Sequence, residues 1–197
     1  SFAIMDDGEI IWISEKDGFS HIYRNRPDGR PINQVTRGDW EVNNISAIDD
    51  KNEIIYFSAK KETETENHLY SIKFNGSRVK RLTKEKGSHS SSFSPTLNYF
   101  INSYSSFTVP PKTLIREDNG KIVRTLKETD KSKFDAYNLT YPQLINIFTD
   151  DGTRLNALIT YPHNFDPMKQ YPVILYNYGG PGSQIVINRW NSGRHIF

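Results

Sequence analysis

The sequence predicts a mainly β protein, with about three four-stranded blades of a β-propeller followed by the first strands of a domain built on an α/β sheet. A repeated strand pattern, with a glycine turn at a matching place in each repeat, predicts the blades. A continuous apolar run near the carboxyl end of the chain predicts the α/β sheet. The repeats show no sustained 3.6-residue periodicity, which argues against helices there.

The repeat is clearest in three apolar and aromatic segments that begin at Ile11, Ile55 and Tyr99, so successive units are 44 residues apart. A second strand-like segment and a turn pair follow in each unit. The turn pairs are Asp28-Gly29, Asn75-Gly76 and Asn119-Gly120. Because such pairs accept positive φ at both central positions, we expect type I′ hairpins. Four short strands in ~40–45 residues are typical of a propeller blade, and an antiparallel sandwich is the alternative.

The character of the sequence changes after the third unit. We predict propeller blades over residues 1–128, a connector over 129–143 and the start of a second domain over 144–197. Within the second domain, Leu144 to Thr149 and Leu155 to Tyr161 predict a hairpin around a glycine turn.

A later run, Tyr171 to Tyr178, is apolar at successive positions, as in a strand buried on both faces of an α/β sheet. It ends in the glycine-rich cluster 179–184. In open α/β sheets, ligands bind at the carboxyl ends of the strands, so this cluster is the candidate site.

Composition excludes several classes of function. The chain has 197 residues, with 25 Lys and Arg against 23 Asp and Glu, and this net charge of +2 does not favour nucleic-acid binding. The absence of cysteine excludes disulfides, thiolate zinc sites and a cysteine nucleophile. No apolar run reaches the ~18–20 residues of a membrane span. None of the five histidines has metal-ligand spacing, so we expect no metal and no cofactor. His21 and His68 occupy equivalent places in two repeats, which favours a structural role.

Segments of both halves resemble one known family. They are Trp12 to Tyr23, Glu66 to Ser71, Asp151-Gly152-Thr153-Arg154-Leu155, Tyr171-Pro172-Val173 and Tyr178-Gly179-Gly180-Pro181. They are similar to the prolyl oligopeptidase family of serine peptidases, and within it to the dipeptidyl-peptidase IV-like branch. The resemblance runs over nearly the whole chain.

This resemblance implies an eight-bladed propeller that caps an α/β-hydrolase domain with a Ser-Asp-His triad. The implied reaction is the release of X-Pro or X-Ala dipeptides from peptides with a free N-terminus. By resemblance, Tyr178 corresponds to the tyrosine that donates to the oxyanion, and Pro181 and Gln184 line the leaving-group side of the cleft. From the residues alone, the alternative for Tyr178 is a core tyrosine bonded to a backbone group. The family also suggests a periplasmic or secreted location and allows a homodimeric parent protein.

A catalytic serine on this fold requires a G-x-S-x-G turn, which the sequence lacks. In Gly180-Pro181-Gly182-Ser183-Gln184 the serine stands at the wrong position. We therefore expect a fragment of a serine exopeptidase whose triad serine, aspartate and histidine lie beyond Phe197 and which is inactive alone. A non-catalytic propeller-type binding or scaffold protein is the alternative.

Overall fold

The computed structural model describes residues 2–134, 136–137, 139–180 and 182–190. Its strands, numbered in chain order, are β1 Phe2–Ile4, β2 Ile10–Ser14, β3 His21–Asn25, β4 Pro31–Gln34, β5 Val42–Asp49, β6 Ile54–Ala59, β7 His68–Lys73, β8 Lys80–Arg81, β9 Ser88–Phe93, β10 Tyr99–Ser105, β11 Lys112–Glu117, β12 Ile122–Glu128, β13 Gln143–Phe148 and β14 Arg154–Ile159. A short 3₁₀ helix, Lys131–Phe134, follows β12. None of the described helices is both long and apolar enough to cross a membrane.

The first twelve strands form three antiparallel sheets of four strands each, β1–β4, β5–β8 and β9–β12. In every sheet, neighbouring strands are consecutive in sequence, as in a propeller blade. The segments that begin at Ile11, Ile55 and Tyr99 form most or all of the second strand of their respective sheets, β2, β6 and β10. The predicted fold class, mainly β with about three four-stranded blades, is confirmed.

The second sheet buries both of its faces. Successive residues of a strand point to opposite faces, and in β6 both sets are covered. Phe57 packs in one cluster with Ile11 of the first sheet. Tyr56 packs in another with Phe100 of the third sheet. Stacking of neighbouring sheets therefore supplies the core, and a single sheet alone would leave an apolar face in water.

The hairpin turns differ from the type I′ turns expected from the sequence. The Gly29 N–H donates to Arg26 O at 2.9 Å, and the Arg26 N–H donates to Arg30 O at 2.8 Å. Gly29 has a positive φ of 84°, but Asp28 is not among the residues with positive φ. The prediction is wrong because only one central residue takes positive φ, and the pattern is that of a type I turn followed by a glycine bulge. The same pair of hydrogen bonds occurs at Gly8, Gly76, Gly120 and Gly152.

The residue before each of these glycines closes the turn with its side chain. Asn119 Oδ1 accepts the N–H of Lys121, two residues further on, at 2.8 Å. The equivalent contact is made by Asp7, Asp28, Asn75 and Asp151. Asp or Asn is favoured here for its side-chain acceptor, which forms a local turn, and not for left-handed backbone geometry.

Two buried His–Thr pairs hold the outer strands of the first two sheets. His21 Nδ1 lies 3.1 Å from Thr36 Oγ1, and His68 Nδ1 lies 3.2 Å from Thr83 Oγ1. Each threonine hydroxyl also accepts the N–H of the residue after the histidine, at 2.8 and 3.0 Å. All four side chains are buried. The repeated histidines thus satisfy buried polar groups, which is the structural role that their equivalent positions suggest.

An ion pair between a buried arginine and a partly buried glutamate joins the third sheet to the segment that precedes it. The Arg116 side chain is 3% exposed, and its Nη2 donates to Glu85 Oε2 at 2.7 Å. Its Nε donates to Asn102 Oδ1 at 3.1 Å. Burial raises the pKa of Glu85, but the hydrogen bonds and charge of Arg116 outweigh it, so the pKa lies below its usual range. Glu85 is therefore an anion at neutral pH and balances the buried guanidinium.

Of the strands predicted after residue 143, the hairpin is confirmed and the later strand is not. β13 and β14 form the expected antiparallel hairpin. The strand predicted over Tyr171 to Tyr178 is wrong, since these residues have no strand pairing and Ile174 is 96% exposed. A strand is held by ladder hydrogen bonds and by burial of its side chains, and no described segment pairs with this one to supply either.

A glycine turn of one sheet packs against the preceding sheet. A Cβ placed on Gly76 would lie 2.8 Å from Val35 O, and one on Gly120 would lie 2.3 Å from Leu82 O. At the equivalent Gly29 of the first sheet, no described atom lies within 4 Å of such a Cβ. Glycine at 76 and 120 thus meets two needs, a positive φ and a close approach between sheets.

We expect Gly120→Ala to destabilise this chain more than Gly29→Ala does. Both glycines have similar positive φ, 92° and 84°, so the backbone cost is similar, and only the Cβ at position 120 meets a carbonyl oxygen of the neighbouring sheet. The additional loss should be about 1–3 kcal/mol, the usual size of an overpacking effect. Denaturant unfolding of both variants measures the difference, and equal losses would contradict the close contact between sheets.

Candidate functional site

The candidate site lies where residues 182–190, here called the docking segment, cross the second and third sheets. The segment begins within the glycine-rich cluster 179–184 that follows Tyr178. It contacts the loop between β6 and β7 (residues 60–67), the start of β9, and the β10–β11 loop. Three of its residues, Gln184, Asn188 and Trp190, make most of these contacts.

Asn188 binds three separate segments of the sheets. Its backbone N–H donates to Thr65 O at 2.8 Å, and its backbone O accepts the N–H of Ser88 at 2.9 Å. Its side-chain Nδ2 donates to Glu66 Oε1 at 2.6 Å, and Oδ1 accepts the N–H of Phe107 at 2.8 Å. Both backbone polar atoms and both side-chain polar atoms are therefore used, which fixes the register of the docking segment on the blades.

Gln184 binds the β6–β7 loop with both ends of its amide. Lys60 Nζ donates to Gln184 Oε1 at 2.6 Å. Gln184 Nε2 donates to Glu64 O at 2.7 Å and to Val186 O at 2.9 Å. This is the first contact with the blades after Tyr178 along the described chain, only six positions further on.

The carboxylate of Glu64 makes a different contact from its backbone carbonyl. Oε1 accepts Arg154 Nη2 at 3.2 Å, and Oε2 accepts Asn156 Nδ2. Both partners lie on β14. The β6–β7 loop thus binds the β13–β14 hairpin through the Glu64 side chain and the docking segment through the Glu64 backbone, so the two contacts can be altered separately.

Trp190 fixes the far end of the docking segment. It is 8% exposed, and its backbone N–H donates to Ser105 Oγ at 3.0 Å. Its ring centroid lies 5.4 Å from that of Phe134 and 5.8 Å from that of Tyr141. Both aromatic partners belong to the predicted connector, so burial of Trp190 holds the connector and the docking segment together.

Glu66 is an ionised hydrogen-bond acceptor at the centre of the contact between the docking segment and the blades. His68 Nε2 lies 3.0 Å from Glu66 Oε2, while Oε1 accepts Asn188 Nδ2. Burial raises the pKa of Glu66, but the hydrogen bonds from His68 and Asn188 and the charge of His68 outweigh it, so the pKa is lowered. A hydrogen bond to an ionised carboxylate is stronger than one between neutral groups, and the Asn188 contact gains from this.

Tyr178 lies at the surface and is 58% exposed. No hydrogen bond to its hydroxyl is found within the described residues. A Cβ placed on Gly180 would lie 2.7 Å from Tyr178 Oη and 2.9 Å from Cζ. The ring therefore folds over Gly180, whose missing side chain makes room for it. A turn bond from the Ser183 N–H to Gly180 O, 3.2 Å long, follows.

The sequence-predicted site residues fall in one loop but have different surroundings. Tyr178 is exposed, Gln184 is bound to the β6–β7 loop, and Pro181 lies outside the described residues. Their roles toward substrate stay predictions. Asn188 and Glu66 could not be predicted as site residues, because their contact joins positions 122 apart in the chain. Glu66 lies in a segment that carries the family resemblance, but nothing in that segment indicates a contact with Asn188.

The other features of the described residues give weaker evidence for a functional site. They contain no group of three or more His, Asp or Glu side chains that could hold a metal ion. A small polar cavity of about 110 Å³ between the second and third sheets is lined by side chains that include Ser58, Asn67 and His89. Burial lowers the pKa of His89 to about 4, so its imidazole is neutral at physiological pH, and it is hydrogen-bonded within the sheets.

Comparison with known families decides the assignment. The family model described as "Dipeptidyl peptidase IV (DPP IV) N-terminal region" matches residues 1–111. The chain belongs to the dipeptidyl peptidase IV family. The resemblance found in the sequence is thereby confirmed.

Relatives named dipeptidyl peptidase 4 match most of the chain. The protein from Trichophyton tonsurans is 36% identical over 185 residues, which cover 91% of this chain and 24% of that protein. The one from Arthroderma otae is 34% identical over the same coverage of both chains. The crystal structure of Porphyromonas gingivalis dipeptidyl peptidase 4 matches with a TM-score of 0.90 and 30% identity, covering 96% of this chain and 27% of that one. The chain thus spans about a quarter of the length of these relatives.

We expect Gly180→Ala to displace the Tyr178 ring, whereas Gly179→Ala leaves it in place. A Cβ at position 180 collides with the ring, but one at position 179 meets no described atom within 4 Å. NMR of this chain with labelled tyrosine rings measures the effect, once the Tyr178 signal has been assigned by Tyr178→Phe. Equal changes in that signal for both alanine variants would contradict the packing of the ring over Gly180.

Proposed function

We propose that this chain is the junction between the propeller and the hydrolase domain of a serine-type dipeptidyl peptidase. In this proposal, residues 1–128 are propeller blades, 129–143 connect the domains, and 144–197 begin the α/β-hydrolase domain. The observation that carries the proposal is the family membership together with an exposed tyrosine, Tyr178, at the predicted oxyanion position. The bonds of the docking segment to the blades support a junction between two domains at this place.

The proposed substrate is a peptide with a free N-terminus, from which the parent enzyme releases an X-Pro or X-Ala dipeptide. The naming of the relatives as dipeptidyl peptidase 4 supports the reaction class. The preference for proline or alanine comes from the family resemblance of the sequence.

Tyr178 has a defined task in this reaction. When a serine oxygen adds to the scissile carbonyl, the carbonyl oxygen gains negative charge and needs a fixed hydrogen-bond donor. A phenol hydroxyl supplies one and stays neutral at pH 7. Tyr178 is an exposed residue, and its hydroxyl has no hydrogen-bond partner among the described residues, so this donor is available for a substrate oxygen. Gly180 supports the role by giving the ring a place to pack.

The chain alone should be inactive, because it contains no G-x-S-x-G serine. Reading the gene beyond the codon for Phe197 tests the proposal most simply. A G-x-S-x-G motif followed by an aspartate and a histidine supports the peptidase. Its absence would favour a non-catalytic binding or scaffold protein. A periplasmic or secreted location and a homodimeric parent remain predictions from the family.

In the full-length protein, Tyr178→Phe should lower kcat by about 10²–10³-fold, the usual effect of removing one oxyanion donor. KM for a Gly-Pro chromogenic amide should change much less, because the lost bond forms mainly in the transition state. Tyr176→Phe is the matched control, since it removes a neighbouring exposed phenol and should leave kcat unchanged. An unaltered kcat in Tyr178→Phe would remove the oxyanion role.

A further inference from the structure

We infer that the propeller loop 60–67 positions the oxyanion tyrosine through Gln184, which makes Gln184 and Lys60 positioning residues for catalysis. The inference rests on the proposed function of Tyr178. It gives Gln184 a different role from the direct substrate contact that the sequence suggested, because both ends of the Gln184 amide already bind protein atoms.

The chain on the two sides of Tyr178 differs in its hydrogen bonding. On its amino-terminal side, residues 172–177 make no backbone hydrogen bond within the described part of the chain, and Val173 and Leu175 are 87% and 81% exposed. On its carboxyl-terminal side, three hydrogen bonds of 2.6–2.9 Å hold Gln184, two of them to the propeller loop. The hydrogen bonds that join the tyrosine loop to the blades therefore lie on its carboxyl-terminal side.

Few contacts separate Gln184 from the Tyr178 phenol. The Ser183 N–H donates to Gly180 O and closes a tight turn directly before Gln184. The Tyr178 ring lies against Gly180, as the close approach of its Oη and Cζ shows. A shift of Gln184 on the loop therefore moves the turn, and the turn moves the surface on which the ring rests.

The groups that bind Gln184 are themselves held in place by neighbouring contacts. Lys60 Nζ, which donates to Gln184 Oε1, also lies 3.6 Å from Glu41 Oε2, and its side chain is 23% exposed. The Glu64 carbonyl that accepts Gln184 Nε2 directly precedes Thr65, whose carbonyl accepts the Asn188 N–H. The two acceptors thus lie on adjacent residues of one loop, and Asn188 fixes the register in which Gln184 meets that loop.

The consequence for catalysis follows from geometry. An error of about 1 Å in placing a reacting group can cost on the order of 10²-fold in rate. Loss of the Gln184 contact should therefore lower kcat by about 10–10²-fold, with a smaller change in KM, since the phenol is needed most in the transition state.

The experiment uses the full-length protein and a Gly-Pro chromogenic amide. Gln184→Leu removes all three bonds, and Lys60→Met removes one of them while keeping most of the length of the side chain. Arg154→Met is the matched control, because it breaks the ion pair with the Glu64 carboxylate but leaves Glu64 and the backbone carbonyl that accepts Gln184 unchanged. Gln184→Leu and Lys60→Met should lower kcat, and Arg154→Met should not. Thermal unfolding of each variant shows that it is folded.

A double-mutant cycle separates positioning from any independent role. If Gln184 acts through Tyr178, the double variant Tyr178→Phe/Gln184→Leu should have nearly the kcat of Tyr178→Phe alone. The positioning role would be overturned if the two losses in kcat multiplied in the double variant, or if Gln184→Leu raised KM and left kcat unchanged. Either result would leave the proposed function standing. An unaltered kcat in Tyr178→Phe, or no peptidase activity in the unaltered protein, would instead overturn the proposed function and the positioning role together.

Discussion

The packing of one sheet against the next is the constraint on which the rest of this structure depends. β6 buries side chains on both faces, with Phe57 facing the first sheet and Tyr56 facing the third. Glycine at 76 and 120 lets the turns of one sheet approach the carbonyl oxygens of the preceding one. Adjacent sheets therefore bury each other's apolar side chains, as expected for repeat architectures in which adjacent units share the core.

Stacked sheets also create the surface that binds the docking segment. Asn188 reaches the β6–β7 loop of the second sheet and two parts of the third, so it can bind only where these sheets are held side by side. Glu66, a partly buried carboxylate whose lowered pKa keeps it ionised, strengthens this contact. Propeller packing and the position of the Tyr178 loop are thus parts of one continuous set of contacts.

The blades could be predicted from the sequence because local rules govern them. Alternating strands and regularly spaced glycine turns appear directly in the order of the residues, and the His–Thr pairs repeat with them. The turn type could not be predicted, because Asp-Gly and Asn-Gly suit two geometries, and the side-chain acceptor of Asn119 favours the one observed. The strand expected over Tyr171 to Tyr178 depends on partners that the described residues do not supply. The Glu66–Asn188 contact depends on tertiary structure and has no signature in the sequence.

Hydrogen exchange at single amides of this chain tests most directly whether the docking segment is bound to two sheets. We expect the amides of Ser88, Phe107 and Asn188 to be protected. In Asn188→Ala, the Phe107 amide should exchange about 5- to 10-fold faster, because it loses one hydrogen bond worth about 1 kcal/mol. The Asp118 amide, which donates to Asn98 O elsewhere in the third sheet, should be unchanged. Exchange of the Phe107 amide at the unprotected rate in the unaltered chain would show that the docking segment is not bound to the third sheet.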